Sequence, residues 1–194
     1  SHALASDFGD FMHERAASSY YLRDVPAEFV AWVEPRWRER AEVPDYLVDL
    51  AHHELLEYDI RNDHRGGEAP TGEGLVLDRP LRFDGAARLM RYEFAVHRLP
   101  ADLEDRSEPD RAPTRLLVYR DAKTRVRYLE LTPLAHAVLL QLIERKQPVA
   151  SGLQAACESL GEPLDDERLA TTAQLLADLA ERGVLLGAEP ASPS

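Results

Sequence analysis

Cysteine is almost missing from this chain: Cys157 stands alone, so no internal disulfide can form. Long apolar runs are missing too, and nothing approaches the ~18 consecutive residues that a membrane span needs. The opening SHALASDFGDFMHER has acids but no basic segment ahead of an apolar one, so it does not read as a secretory signal. With one thiol and no such signal, the expected compartment is the cytoplasm. Recognisable catalytic motifs are also lacking. There is no G-x-S-x-G and no dinucleotide fingerprint, and no Lys-Ser or Lys-Thr follows the glycines of GGEAPTGEG to cradle a phosphate. Basic residues are scarce as well: 23 Lys and Arg face 35 Asp and Glu, a net charge of −12. Nucleic-acid binding draws most of its affinity from cations that neutralise phosphates, so this chain as a whole is repelled by DNA or RNA.

What is present is an ordinary globular composition, 44% hydrophobic over 194 residues, enough for one or two small domains. The charge divides unevenly. The first 110 residues hold 13 basic and 24 acidic side chains, and the remainder holds 10 and 11. The two parts are thus expected to meet different partners. The periodicity predicts helices over about 4–16, after Asp24 with a disturbance at Pro35, and after Pro44. In the last of these, Leu47, Leu50, Ala51, Leu55 and Tyr58 form one apolar stripe. The expected layout is a helical domain (1–65), a linker and extended segment (66–87), a strand-and-helix domain (88–187) and a disordered tail (188–194). Within the third part, RLMRYEFAVHRL (88–99) reads as a strand. Two more strands flank the turn Asp121–Thr124, and helices follow at 133–146, 151–161 and 165–183. Ser151 and Asp165 stand where helix caps belong, and Gly161 and Gly183 where helices stop.

The densest titratable stretch is AHHELLEYD. His53 and Glu57 are one helical turn apart, but no second histidine completes H-E-x-x-H, and two ligands fall short of a metal site. A structural or interface role is the expectation for His52, His53 and Glu57, with no catalytic residues and no metal ligands assigned. His97 and His136 are expected as packed or hydrogen-bonded histidines, and Cys157 as inert core.

A strand pair followed by three helices fits a winged-helix DNA binder, and equally a peptide-recognition module. The last helix opposes the first reading. Asp165, Asp166, Glu167, Asp178 and Glu181 outnumber Arg168 and Arg182, which would push it off phosphate. The second reading uses the strand RVRYLEL as an exposed edge, where an extended peptide adds as one more strand. Arg125 and Arg127 share one face, expected to meet solvent or an acidic peptide. Val126 and Tyr128 share the other, expected to serve the core. Arginines on an edge strand also guard against aggregation, and that role remains open beside the first.

The segments SSYYLRDVPAEFVAWV, PDYLVDLAHHELLEYDI, YEFAVHRLP and LLVYRDAKTRVRYLELTPLAHAVLLQLIE, in that order, resemble a bacterial family. Its members are the small partner proteins, of the MbnC, HvfC and BufC type, of multinuclear non-heme iron-dependent oxidative enzymes. They take part in the maturation of ribosomally made peptides, and their helical region has carried a DNA-binding label. The likeness spans about residues 6 to 187, with an unusually acidic loop at 101–113. It implies an α+β protein: an N-terminal helical domain, then a winged-helix-like or PqqD-like domain of a three-stranded antiparallel sheet plus three helices. It also implies a non-catalytic subunit of a heterodimer, which binds the leader of a precursor peptide and presents it to the iron enzyme. Iron is expected in that partner, with no cofactor in this chain. Carried over, the peptide contacts fall on Arg125, Val126, Arg127, Tyr128, Leu129, Glu130 and Leu131, and on Thr172, Leu176 and Leu179 of the last helix. His52, His53 and Glu57 fall to the enzyme interface. The alternative is a winged-helix transcriptional regulator.

Overall fold

The computed structural model describes residues 2–15, 22–100, 102, 105 and 107–190. Residues 18–21 of the first family segment, and positions 101, 103, 104 and 106 of the acidic loop, lie outside the described residues. Two compact units emerge: Ser1–Tyr58 with Tyr92–Ala112, and Asp59–Arg91 with Pro113–Ser194.

The first unit is helical: α1 (His2–Arg15), α2 (Val25–Glu39) and the start of α3 (Tyr46–Asn62). Its core gathers Phe11, Phe29, Trp32, Val33, Trp37 and Val48. The rings of Phe11, Phe29 and Trp32 meet at centroid distances of 5.6 to 6.4 Å, within the range where aromatic pairs attract. Asp7 of α1 fastens the bundle from inside, accepting hydrogen bonds from Trp37 Nε1 (2.8 Å) and Arg40 Nη2 (2.6 Å). Pro26 occupies the first turn of α2 as expected. Pro35, expected to disturb that helix, lies inside it without ending it. Proline removes one main-chain bond and crowds the preceding turn. There the Arg36 guanidinium bonds the Trp32 carbonyl (2.7 Å) and lies over its ring (3.8 Å).

The strand expected over 88–99 ends at Tyr92. The next two main-chain N–H groups, of Glu93 and Phe94, donate to the Asp49 carboxylate at 2.7 and 3.0 Å, which turns the chain away. Phe94 and Val96 are buried in spite of leaving the ladder, so their alternation mimics a strand.

The second unit holds β1 (Leu81–Phe83), β2 (Arg88–Tyr92), β3 (Thr114–Arg120), β4 (Val126–Glu130), α4 (Pro133–Leu139), α5 (Val149–Leu160), α6 (Asp166–Glu181) and β5 (Leu185–Ala188). The antiparallel sheet runs β2-β3-β4, and β1 pairs with β5 in a separate two-stranded sheet. The architecture is therefore α+β, with a helical region followed by a three-stranded antiparallel sheet and helices. Residues 66–87, expected as a linker and extended segment, contribute β1, whose Leu81 and Phe83 belong to the core with Leu117, Leu139, Leu142 and Leu179. The expected tail from 188 starts too early: Ala188 is buried in β5, and Glu189 donates its main-chain N–H to the Pro80 carbonyl. Residues 191–194 lie outside the described residues.

Helix α4 gives way to a π turn over Leu140–Glu144. Thr132 caps α4 through the Ala135 N–H, and Asp165 caps α6 through the Arg168 N–H. Ser151 does not cap α5; Pro148 holds that position, and the Ser151 hydroxyl donates to its carbonyl. Gly161, at φ +67°, ends α5 in the left-handed conformation that frees the Glu162 N–H to bond the Cys157 carbonyl. Cys157 lies in this core, where burial pushes its thiol up.

Asp63, just after α3, accepts from the Arg65 main chain and guanidinium and from Arg88 Nη2 (2.6 Å). Arg65 chiefly, with Arg88, lowers its carboxyl from 3.8 to about 2. A depressed carboxylate stabilises the fold above its unfolded value and loses that contribution as pH falls through the folded one. Asp63→Asn should therefore cost about 2 kcal/mol at pH 7. Urea titrations should show the gap between wild type and variant shrinking below about pH 4 and closing near pH 2.

Candidate functional site

The hairpin β3–β4 is organised by one carboxylate. Asp121 opens the turn and accepts from the main-chain N–H groups of Lys123 (2.9 Å) and Arg125 (3.0 Å), and from Nε of Arg125 (3.0 Å) and of Arg127 (2.9 Å). The Arg125 main-chain N–H and both guanidinium groups hold its carboxyl far below the usual carboxylate range. Thr124 takes the left-handed position of the turn, at φ +59°. The cations expected to face an acidic peptide thus already share an acid of their own turn.

Pairing sets Leu117 against Leu129, Val118 against Tyr128 and Tyr119 against Arg127. Leu131 donates its N–H to Arg115 O (2.8 Å) and Asp121 its N–H to Arg125 O (2.9 Å). Antiparallel ladders alternate hydrogen-bonded and open pairs, so Arg127 and Leu129 also turn their main-chain groups toward β3. Val126, Tyr128 and Glu130 turn theirs away from it. Since β4 is the last strand of its sheet, those three groups define the outer edge.

The expected faces are exchanged. Leu129 packs against the second unit's core and Leu131 is buried in it, which places Arg127 on that same side, at the rim. Val126 and Tyr128 are half-buried on the other face. A two-residue period allows no other arrangement once Leu129 and Leu131 are inside. The three α6 positions are corrected likewise. Thr172, Leu176 and Leu179 are buried at 4%, 3% and 0% exposure, and the two leucines belong to the core. With Leu131, they shape the unit from within and offer no surface to a peptide. The side of α6 that reaches the hairpin is the one with Asp178 and Arg182. Arg182 Nε donates to Asp178 (2.8 Å) and Nη1 to the Tyr119 hydroxyl (3.1 Å), and Tyr119 is the cross-strand partner of Arg127. Sequence reasoning missed Asp121, Tyr119 and Arg182; only Asp121, at the first position of a tight turn, was marked by a local signal.

Beside this end of the hairpin lies a polar cavity of about 320 Å³ lined by Asp84, Arg120, Asp121, Thr124 and Arg182. The Arg120 guanidinium donates to the Arg61 carbonyl at a long 3.4 Å. Among the described residues no carboxylate pairs with it.

In the helical unit, His52 Nε2 lies 2.8 Å from Glu34 Oε2, and Glu34 also binds Arg38 (2.7 Å). Arg38 first, then His52, lowers the Glu34 carboxyl. His53 is only 5% exposed, its ring edge-on to Tyr92 at 5.6 Å, and burial lowers its basicity. The pair of histidines therefore splits between a contact with Glu34 and the interior, and His53 presents little surface to a partner. Glu57 is half-buried. Among the described residues no group of three or more His, Cys, Asp or Glu side chains is placed to hold a metal, and no helix is long and apolar enough to cross a membrane.

No curated protein matches the chain. Residues 85–180 match the sequence profile of the HvfC C-terminal domain. That stretch takes in the three-stranded sheet, the Asp121 turn and nearly all of α6. The matched domain is of the HvfC type, the partner-protein family that the sequence segments resemble.

Proposed function

We propose that this chain is the non-catalytic partner of an iron-dependent oxidative enzyme, capturing the leader of a ribosomally made precursor peptide as an added strand on β4. The observation that carries the reading is the outward set of main-chain groups at Val126, Tyr128 and Glu130 on the last strand of the sheet. An extended segment bonds such an edge in any sequence, at about 1 kcal/mol net per hydrogen bond. Selectivity then comes from side chains on either hand. On one face lie the rims of Val126 and Tyr128. On the other lie Arg127 and, through Tyr119, Arg182. An acidic residue at the turn end of the bound segment finds Arg120 in the polar cavity. The iron and the oxidative step belong to the enzyme.

The winged-helix reading would require α6 to enter a DNA groove. Its first turn holds Asp166 and Glu167 beside the Asp165 cap, and these acids oppose phosphate. A fluorescently labelled precursor leader, titrated against the isolated chain, tests both readings. The leader should bind with main-chain protection confined to 126–130 in hydrogen exchange, while a DNA duplex at low salt should not bind. Duplex binding that weakens with the logarithm of salt, with no leader capture, would reverse the assignment.

A further inference from the structure

The apolar stripe of α3 only partly meets the helical core, against which Leu47 and Ala51 pack with one side. Val48 and His53 are buried there, whereas Leu47, Leu50, Ala51 and Leu55 are half-buried and Tyr58 is exposed. Together with Pro26, Phe29 and Val30 of α2 they line an open apolar groove of about 340 Å³. The apolar surface continues onto α1. Phe8 and Met12, one turn apart and each 42% exposed, lie there, and the Phe8 ring meets Phe29 edge-on at 5.3 Å. An exposed apolar tract over three helices is more than scattered surface leucines, and such tracts mark association sites.

The geometry points to this groove as the docking site for an amphipathic helix of the partner enzyme, its apolar stripe flanked by Lys and Arg. The proposal rests on the reading of this chain as a partner subunit, and it names the chemistry of the contact. Two observations select the occupant. From Leu47 to Tyr58 the groove wall advances about 16 Å, three helical turns, with apolar positions at i, i+3, i+4, i+8 and i+11. An extended segment laid there would bury its main-chain groups without partners; a helix satisfies its own. The second observation is charge. The helical unit's two segments carry 8 basic and 18 acidic residues, net −10 of the chain's −12. Glu54, exposed and outside any ion pair among the described residues, is the charged member of the groove lining itself. A second copy of this chain would bring the same acids to the same face, so an acidic self-contact is disfavoured.

The probe is a labelled peptide of about 14 residues, long enough for three to four turns. Leucines follow the i, i+3, i+4, i+7 pattern and lysines fill the polar face. A glutamate-faced counterpart and a scrambled lysine peptide serve as controls. The lysine amphipath should bind the full chain at least about tenfold more tightly than either control. Leu55→Glu should abolish that preference. Glu54→Lys, a surface change that leaves folding intact, should shift it toward the glutamate peptide. Equal binding of the scrambled peptide, no binding, or a concentration-dependent dimer broken by Leu55→Glu would each overturn the proposal. Capture of the iron enzyme separates this claim from the broader one. If wild type and Leu55→Glu capture it equally, the groove assignment fails alone. If the peptide behaves as expected but no enzyme is captured, the groove stands and the partner-subunit reading fails.

Discussion

If β4 captures the leader as proposed, Tyr128→Pro should leave the β3–β4 hairpin folded and lower leader affinity by at least about tenfold, whereas Leu129→Pro should unfold the second unit. The contrast follows from pairing alone. The Tyr128 N–H turns away from β3, where proline is tolerated on an edge strand. Its loss forfeits one bond to the incoming strand, and the ring obstructs the approach. One residue on, the Leu129 N–H belongs to the ladder with Leu117, and its side chain packs on the core. Losing both costs about 3 kcal/mol or more. Thermal melting beside a leader titration separates the two variants. Equal leader affinity in wild type and Tyr128→Pro would place the peptide elsewhere.

Asp7→Ala should destabilise the helical unit by about 2 kcal/mol, because it strands the buried Trp37 indole and removes the partner of the one-third exposed Arg40 side chain. Burial pushes the Asp7 carboxyl up, but the bonds from Arg40 and Trp37 more than offset it, and its net shift is downward. Without the carboxylate, the Trp37 indole and the Arg40 guanidinium lose their acceptor, and Arg40 Nε is already buried without a partner among the described residues. Asp7→Asn can still accept from Trp37 and should lose less. Both tryptophans of the chain, Trp32 and Trp37, lie on α2 in this unit, so fluorescence during urea unfolding reports on it selectively. An unfolding midpoint unchanged in Asp7→Ala would remove the internal ion pair from the account of its stability.

The elements of the second unit were legible wherever local chemistry decides them. The turn at Asp121–Thr124, the cap at Asp165 and the stops at Gly161 and Gly183 all rest on residues whose backbone preferences are strong. The misreadings share one cause. Tyr92, Phe94 and Val96 alternate as in a strand, yet Asp49, over 40 residues earlier, takes the main-chain donors that would have continued it. Leu176 and Leu179 sit on an apolar helix face, and periodicity marks such a face as buried without saying whether a core or a ligand does the burying. On α3 the same ambiguity ran the other way, since its stripe lines a groove. His52 and His53 are adjacent in sequence but about 100° apart around a helix, so one meets Glu34 and the other the interior.

The way the chain is threaded carries a practical consequence. The helical unit takes back Tyr92–Ala112 from between β2 and β3, and β1 and β5 lie outside the stretch that the HvfC profile covers. No single cut can therefore release either half whole, and a fragment trimmed to 85–180 would shed the β1–β5 pair, whose Leu81, Phe83, Leu185 and Ala188 belong to the core. What is inherited as a recognisable module is smaller than what must fold together.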